Sequence, residues 1–209
     1  MSGATGKLLM FDFDGVVVDS LEVFHRSLLA ACRGAGVEVD GSREWFLGLF
    51  DANLYAGLAN SAIPPRKIES VVARLGEELT RSAGQMRSFP HMPDVLNELG
   101  RRHRLLVITS SISAVVEALL RRDGVTGVAE VLGAEKETSK VRKIRRARAE
   151  NPSRVPWYVG DTCGDIDEGR AAGAATAAVT WGWHTAERLL RRRPDAMIRQ
   201  PRELLDVLG

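Results

Sequence analysis

The chain has 209 residues, of which 44% are hydrophobic and 27% charged. That is ordinary globular usage, in a chain long enough to bury a core without disulfide or metal staples. Its 29 basic and 27 acidic residues leave a net charge of +2, too balanced to argue for a nucleic-acid partner. Cys32 and Cys163 are too few for a disulfide scaffold and are expected to be reduced thiols. No apolar run of about 18 residues supports a membrane span. The first seven residues lack the order of a secretion signal, so the expected location is cytoplasmic.

Short apolar runs recur along the chain at residues 7–11, 104–108, 128–132, 157–159, 174–179 and 196–198. Helical patterns separate them, at 112–122 behind a Ser111 or Ser113 cap, and at 140–150, 185–192 and 201–208. Continuous apolar strands alternating with helices predict an α/β fold: a Rossmann-like parallel sheet with helices on both faces. A strand–helix–strand unit takes about 30 residues. The stretch from Asp14 to Thr109 exceeds that by about 60 residues, and the surplus reads as helical. Asp19 with Glu22 resembles a capping box, ahead of Val23, Phe24, Leu28 and Ala31. Trp45, Phe46, Leu49, Leu54 and Leu58 suggest a second helix, and Pro64-Pro65 opens a third. The expected organisation is a core of residues 1–19 and 85–209, with a small helical cap at 20–84.

Chemistry concentrates where strands end. The first run closes Asp12-Phe13-Asp14-Gly15. Alternate strand residues share a face, so two carboxylates stand side by side and need a cation or a retained proton. The fourth run closes Gly160-Asp161-Thr162-Cys163-Gly164-Asp165. Its two acids suit a hard divalent ion, although Asp165 also reads as the cap of a helix at 166–172. Thr109-Ser110-Ser111 follows the second run, where hydroxyls and free amides make an anion site or a plain helix cap. Among five lysines, Lys140 stands at a helix start, where its charge opposes the dipole; Lys136 is its rival. In an open parallel sheet ligands bind beyond the carboxyl ends of the strands, which is where all four segments lie.

With these residues in place, the chain resembles the haloacid dehalogenase superfamily, and within it the phosphoglycolate-phosphatase-like branch with a helical cap after the first motif. Asp12, Asp14 and Gly15 match the first motif, Thr109 the hydroxyl motif, Lys140 the basic motif, and Asp161 and Asp165 the acidic motif. The segment 179–184 and Arg193-Pro194-Asp195-Ala196 resemble the tail of that branch. Val16-Val17 stands where threonine-leucine is usual, and no proline follows Lys140; neither departure removes a catalytic group.

The resemblance implies a Mg²⁺-dependent phosphomonoester hydrolase acting on a small phosphorylated metabolite through an aspartyl-phosphate. It assigns Asp12 as nucleophile and Asp14 as acid and base, with a raised pKa on Asp14 and a depressed one on Asp12. Thr109, Ser110 and Lys140 would bind the phosphoryl group, and Asp12, Asp14, Asp161 and Asp165 would hold the metal. Candidate substrate contacts in the cap are His25, Arg26, Arg43 and Asn53. A sugar-phosphate mutase and a non-catalytic binding module on the same fold are the alternatives. Asp14 disfavours a dehalogenase. No nucleic-acid or membrane partner is expected, since the arginine-rich stretches read as solvated helix faces, and a monomer or homodimer is.

Overall fold

The computed structural model describes residues 6–209, so the reading of the first seven residues lies mostly outside it. The chain opens with β1 (Leu8–Phe11) and turns tightly into β2 (Val18–Asp19). It then leaves for α1 (Leu21–Gly34), α2 (Arg43–Gly48), α3 (Leu54–Ala59) and α4 (Pro65–Ser82). It returns through β3 (Arg87–Ser88), followed by α5 (Met92–Gly100), β4 (Arg104–Ile108), α6 (Ser113–Arg122) and β5 (Val128–Leu132). The remainder is α7 (Lys140–Glu150), β6 (Pro156–Gly160), α8 (Cys163–Ala171), β7 (Ala175–Val179), α9 (Ala186–Leu190), β8 (Ala196–Ile198) and α10 (Glu203–Leu208).

Six strands form one parallel sheet in the order β5-β4-β1-β6-β7-β8. β1 is central, with Phe11 level with Val107 of β4 and Val159 of β6. The strand order reverses beside β1, so a crevice opens at its carboxyl end between β4 and β6. Pleating splits the buried residues between two faces. Leu9, Phe11, Leu105 and Val107 join the core beneath the inserted helices, while Leu8, Met10, Leu106 and Tyr158 pack under Ile144 and Ala147 of α7.

The inserted helices are built on apolar stripes. Pro65 starts α4 with its φ already helical, and Val71, Leu75 and Leu79 follow at four-residue spacing, all buried against α1. The second expected helix is in fact two. A 3₁₀ turn over Leu49–Asp51 ends one segment, and Asn53 caps the next by accepting from Ala56 N at 2.9 Å. The capping box read at Asp19 does not form. Asp19 lies in β2, paired antiparallel with Arg87 of β3, and Ser20 holds the cap position without a side-chain bond. This two-stranded ribbon, where the chain leaves and re-enters the sheet, was not anticipated, and neither was α5. No described helix is long and apolar enough to cross a membrane.

Candidate active site

Gly15 sets the geometry of the first acidic loop. Its φ of +77° is unfavourable for a side chain, and a Cβ there would collide with the Asp161 carboxylate and the Trp183 indole. The bare backbone therefore lets the β1 and β6 loops meet. Asp12 remains tied to the sheet through its N–H to Val159 O at 2.9 Å.

The structure brings the acids together. Asp12, Asp161 and Asp165 are buried, and each offers a carboxylate oxygen within 4.8 Å of the others. Lys140 Nζ lies between two of them, 2.8 Å from Asp12 Oδ2 and 2.7 Å from Asp165 Oδ1. Lys136 instead donates to Val131 O at 2.6 Å, so Lys140 is the lysine in the cluster. Ser139 caps α7 behind it.

The expected cap role of Asp165 is corrected: α8 starts at Cys163, three residues earlier than read, so Asp165 lies in its first turn rather than at the cap. Thr162 is the cap of α8, and the Asp165 Oδ2 receives Thr162 N and Oγ1 in a reciprocal capping box. Its other oxygen receives Lys140 and, at 3.2 Å, the Tyr158 hydroxyl. Asp161 Oδ2 accepts from Trp183 N at 2.7 Å, and Asp14 Oδ2 from Ser111 Oγ at 2.7 Å. The remaining oxygens, Asp14 Oδ1 and Asp161 Oδ1, are buried without a hydrogen-bond partner among the described residues. A buried carboxylate oxygen without a donor is costly, and two beside a third carboxylate form an oxygen-rich donor set suited to a hard divalent cation.

Burial dominates the electrostatics. It pushes the Asp12 carboxyl up to about 7, against the pull of Lys140 and with a further push from Asp165. The protein's own groups therefore do not give Asp12 the depressed value expected, because one lysine shared with Asp165 does not outweigh desolvation. Asp14 is raised by burial, as expected, with the Ser111 hydrogen bond opposing. Asp161 is raised well above the carboxylate range by burial and by Asp165 and Asp12. Asp165 alone is lowered, because Lys140 and the Thr162 bonds outweigh its burial. Lys140 is likewise buried, but Asp12 and Asp165 hold it protonated well above the usual lysine value.

Thr109 is buried at the end of β4, its N–H on Leu132 O and its Oγ1 accepting from Ser111 N at 3.0 Å. Thr109 and Ser110 line the same small cavity as Asp12, Asp14, Lys140 and Asp165. The cap role read for Ser111 is not realised: Ile112 holds that position, and the Ser111 hydroxyl goes to Asp14. Of the four cap candidates only Asn53 lines the cavity. His25 bonds Gly41 O, Arg26 bonds Gln85, and Arg43 pairs with Glu22 at the surface.

Sequence reasoning missed Ser111 and Tyr158, as well as two supporting lysine and histidine positions. Lys143 donates to Thr109 O at 2.6 Å from a buried site, and burial with the nearby Lys140 lowers it to about 8. The His184 Nδ1 accepts from Cys163 N and its Nε2 donates to Leu47 O, tying the core to the inserted helices. Arg188 and Asp51 add an ion pair across the same boundary. Trp183 both lines the cavity and packs edge-on against Phe24 and Phe50. The single legible signal for this group was the Thr-Ser-Ser string.

The fold and the site together are those of a doubly wound α/β protein with carboxylates, a lysine and a hydroxyl gathered at the carboxyl end of its sheet. The chain belongs to the haloacid dehalogenase-like hydrolase family, whose model matches residues 9–179, and it is a phosphatase-type member. It is 28% identical over 209 residues to a phosphoglycolate phosphatase of Synechococcus elongatus, covering 97% of each chain. It is 29% identical to the pyrophosphatase PpaX of Bacillus pumilus, covering all of this chain and 99% of that one. It is 26% identical to an N-acetylmuramic acid 6-phosphate phosphatase of Pseudomonas aeruginosa, over 97% of this chain and 94% of that one. A haloacid dehalogenase-like hydrolase of Streptococcus pneumoniae shares the fold with a TM-score of 0.81 at 22% identity, over 99% of this chain and all of that one.

Proposed function

We propose that the protein is a Mg²⁺-dependent phosphomonoesterase that works through an aspartyl-phosphate on Asp12. The observation that carries this reading is Lys140 bridging Asp12 and Asp165, beside Asp14 and Asp161 oxygens that have no donor among the described residues. Asp12 and Asp161 would hold the metal, with the Asp14 backbone and Asp165 in support. A bound Mg²⁺ supplies positive charge that offsets the repulsion between carboxylate and phosphate.

The protein groups divide the remaining work. Asp12 attacks phosphorus through a carboxylate oxygen, the ester oxygen leaves, and the phosphoryl group is carried on the enzyme. Asp14, raised by burial, gives its proton to the leaving oxygen and then takes one from the water that cleaves the acyl phosphate. The Ser111 bond fixes the orientation of Asp14. Thr109, Ser110 and Lys140 hold the phosphoryl oxygens as charge redistributes.

Residues 20–84 act as the cap, and the β2–β3 ribbon is its hinge. Closure excludes water from the acyl phosphate.

The test is Asp12→Asn, assayed for inorganic phosphate release from a phosphomonoester panel with and without Mg²⁺. We expect loss of at least about 10³-fold in kcat with circular dichroism unchanged. Retained Mg²⁺-dependent turnover removes Asp12 as nucleophile.

A further inference from the structure

Between the inserted helices and α6 lies a second cavity of about 200 Å³. It shares Asp14, Phe24, Leu54 and Ser110 with the small cavity that holds Asp12, Thr109 and Lys140. Asp14 therefore stands at the junction. If Asp14 protonates the leaving oxygen, the group attached to that oxygen extends past Asp14 into the larger space. The walls of this space fix the class of ester the site takes.

Those walls are apolar. Phe13, Leu75, Leu79, Met86, Val116 and Leu119 are all buried and line it. The polar side chains are neutral hydroxyls, such as Ser111, Thr80 and Tyr55, apart from Asp14 itself. No lysine, arginine or histidine is among the described residues that line it. Three of the cap cations are engaged elsewhere, Arg43 on Glu22, Arg26 on Gln85 and Lys67 on Ala35 O at 2.8 Å. A leaving group with its own carboxylate would enter an apolar cavity whose described lining offers no countercharge, and would lose its hydration without compensation. An uncharged apolar group meets no such penalty, and an apolar cavity of about 150 Å³ already admits a benzene ring.

We propose that the preferred substrates are phosphomonoesters of uncharged, largely apolar alcohols or phenols, and that esters with an anionic leaving group are rejected. This departs from the substrate named for the Synechococcus relative. The proposal rests on the phosphatase reading above, and the test separates the two.

Phosphate release from benzyl phosphate, phenyl phosphate and 2-phosphoglycolate is measured with Mg²⁺, alongside calorimetric binding of the non-hydrolysable benzylphosphonate and phosphonoacetate. The expected result is kcat/KM at least about 100-fold higher for the aryl and benzyl esters than for phosphoglycolate, with benzylphosphonate bound more tightly than phosphonoacetate. Val72→Lys, at a half-buried lining position of α4, should narrow both ratios by at least about tenfold. Phosphoglycolate hydrolysed as well as the benzyl ester overturns the proposal and leaves the phosphatase reading intact. Benzylphosphonate bound no better than phosphonoacetate also overturns it. Preferential binding of benzylphosphonate without hydrolysis of any ester supports the cavity assignment and sinks the phosphatase reading instead.

Discussion

The two cavities that meet at Asp14 differ in charge. The one at the end of β1 gathers acids, a lysine and hydroxyls beside Phe24, Phe50 and Trp183, within a space of only about 30 Å³. The one beneath the inserted helices is several times larger and faced with phenylalanine, leucine, valine and methionine. In the first, a few charges held by opposing desolvation and Coulomb forces set the protonation state of every group. In the second, shape and the lack of charge do the selecting. Both cavities draw on the core and the inserted helices: Phe13, Val116 and Leu119 line the larger one beside Leu75 and Leu79 of α4, and Asn53 and Leu54 reach the smaller one.

The sharpest way to break this contrast is to remove the central charge of the first cavity. Lys140→Met leaves Asp12 and Asp165 buried without their shared partner. Removing one member of a buried ion pair costs about 3–5 kcal/mol, and we expect a denaturation midpoint lowered to match, with phosphate release abolished. A comparable substitution in the larger cavity, such as Val72→Ala, should cost no more than about 1–2 kcal/mol. Equal losses at the two sites would erase the distinction.

Protons and cations offer a second probe. Asp12 is raised from its ordinary 3.8 to about 7, and burial also raises Glu168, on the same cavity wall, to about 7. Between about pH 4 and 7 the folded cation-free protein therefore holds more protons than the unfolded chain, and its stability falls as pH rises through that window. A divalent cation competes with the proton on Asp12. The increase in melting temperature on adding Mg²⁺ should therefore be small at pH 5 and grow to several degrees by pH 8. A shift independent of pH would place the cation away from Asp12. Asp161→Asn should reduce the shift at pH 8.

Gly15→Ala is a smaller perturbation aimed at the backbone. The added methyl meets the Asp161 carboxylate at a φ of +77°, so Asp161 must move. We expect about 1–2 kcal/mol of destabilisation and a weakened Mg²⁺-induced shift, whereas Gly36→Ala, also at positive φ but in open space, should lose stability and leave the shift unchanged.

The charged cavity was largely legible in the sequence. β4, β5, α7 and β8 fall on the expected residues, because buried parallel strands write continuous apolar runs. Asp12, Asp14, Thr109, Lys140, Asp161 and Asp165 meet as expected because strand ends converge. The apolar cavity was not legible. Its residues carry the same i, i+4 stripe that any packed helix shows, and only the placement of α4 against α1 and across from α6 decides where a gap remains. The β2–β3 ribbon escaped because two residues per strand are too few to show a period. The protonation of Asp12 was misjudged because sequence shows a lysine nearby but not that Asp165 shares it, nor how completely water is excluded.

Tyr158 tests how far this shared arrangement extends. Its hydroxyl lies 3.2 Å from Asp165 Oδ1 and 3.4 Å from Ile108 O, at a fully buried position in β6. Replacing it with phenylalanine removes one donor from Asp165 while Lys140 and Thr162 remain. The stability cost should be about 1 kcal/mol. With one fewer partner, Asp165 competes harder for the Lys140 charge, and less of that charge reaches Asp12. Tyr158→Phe should therefore lower kcat by several-fold with KM nearly unchanged, and move the acidic limb of the pH–rate profile upward. If Asp165 serves only the capping box of α8, the variant will lose stability while the pH profile stays where it was.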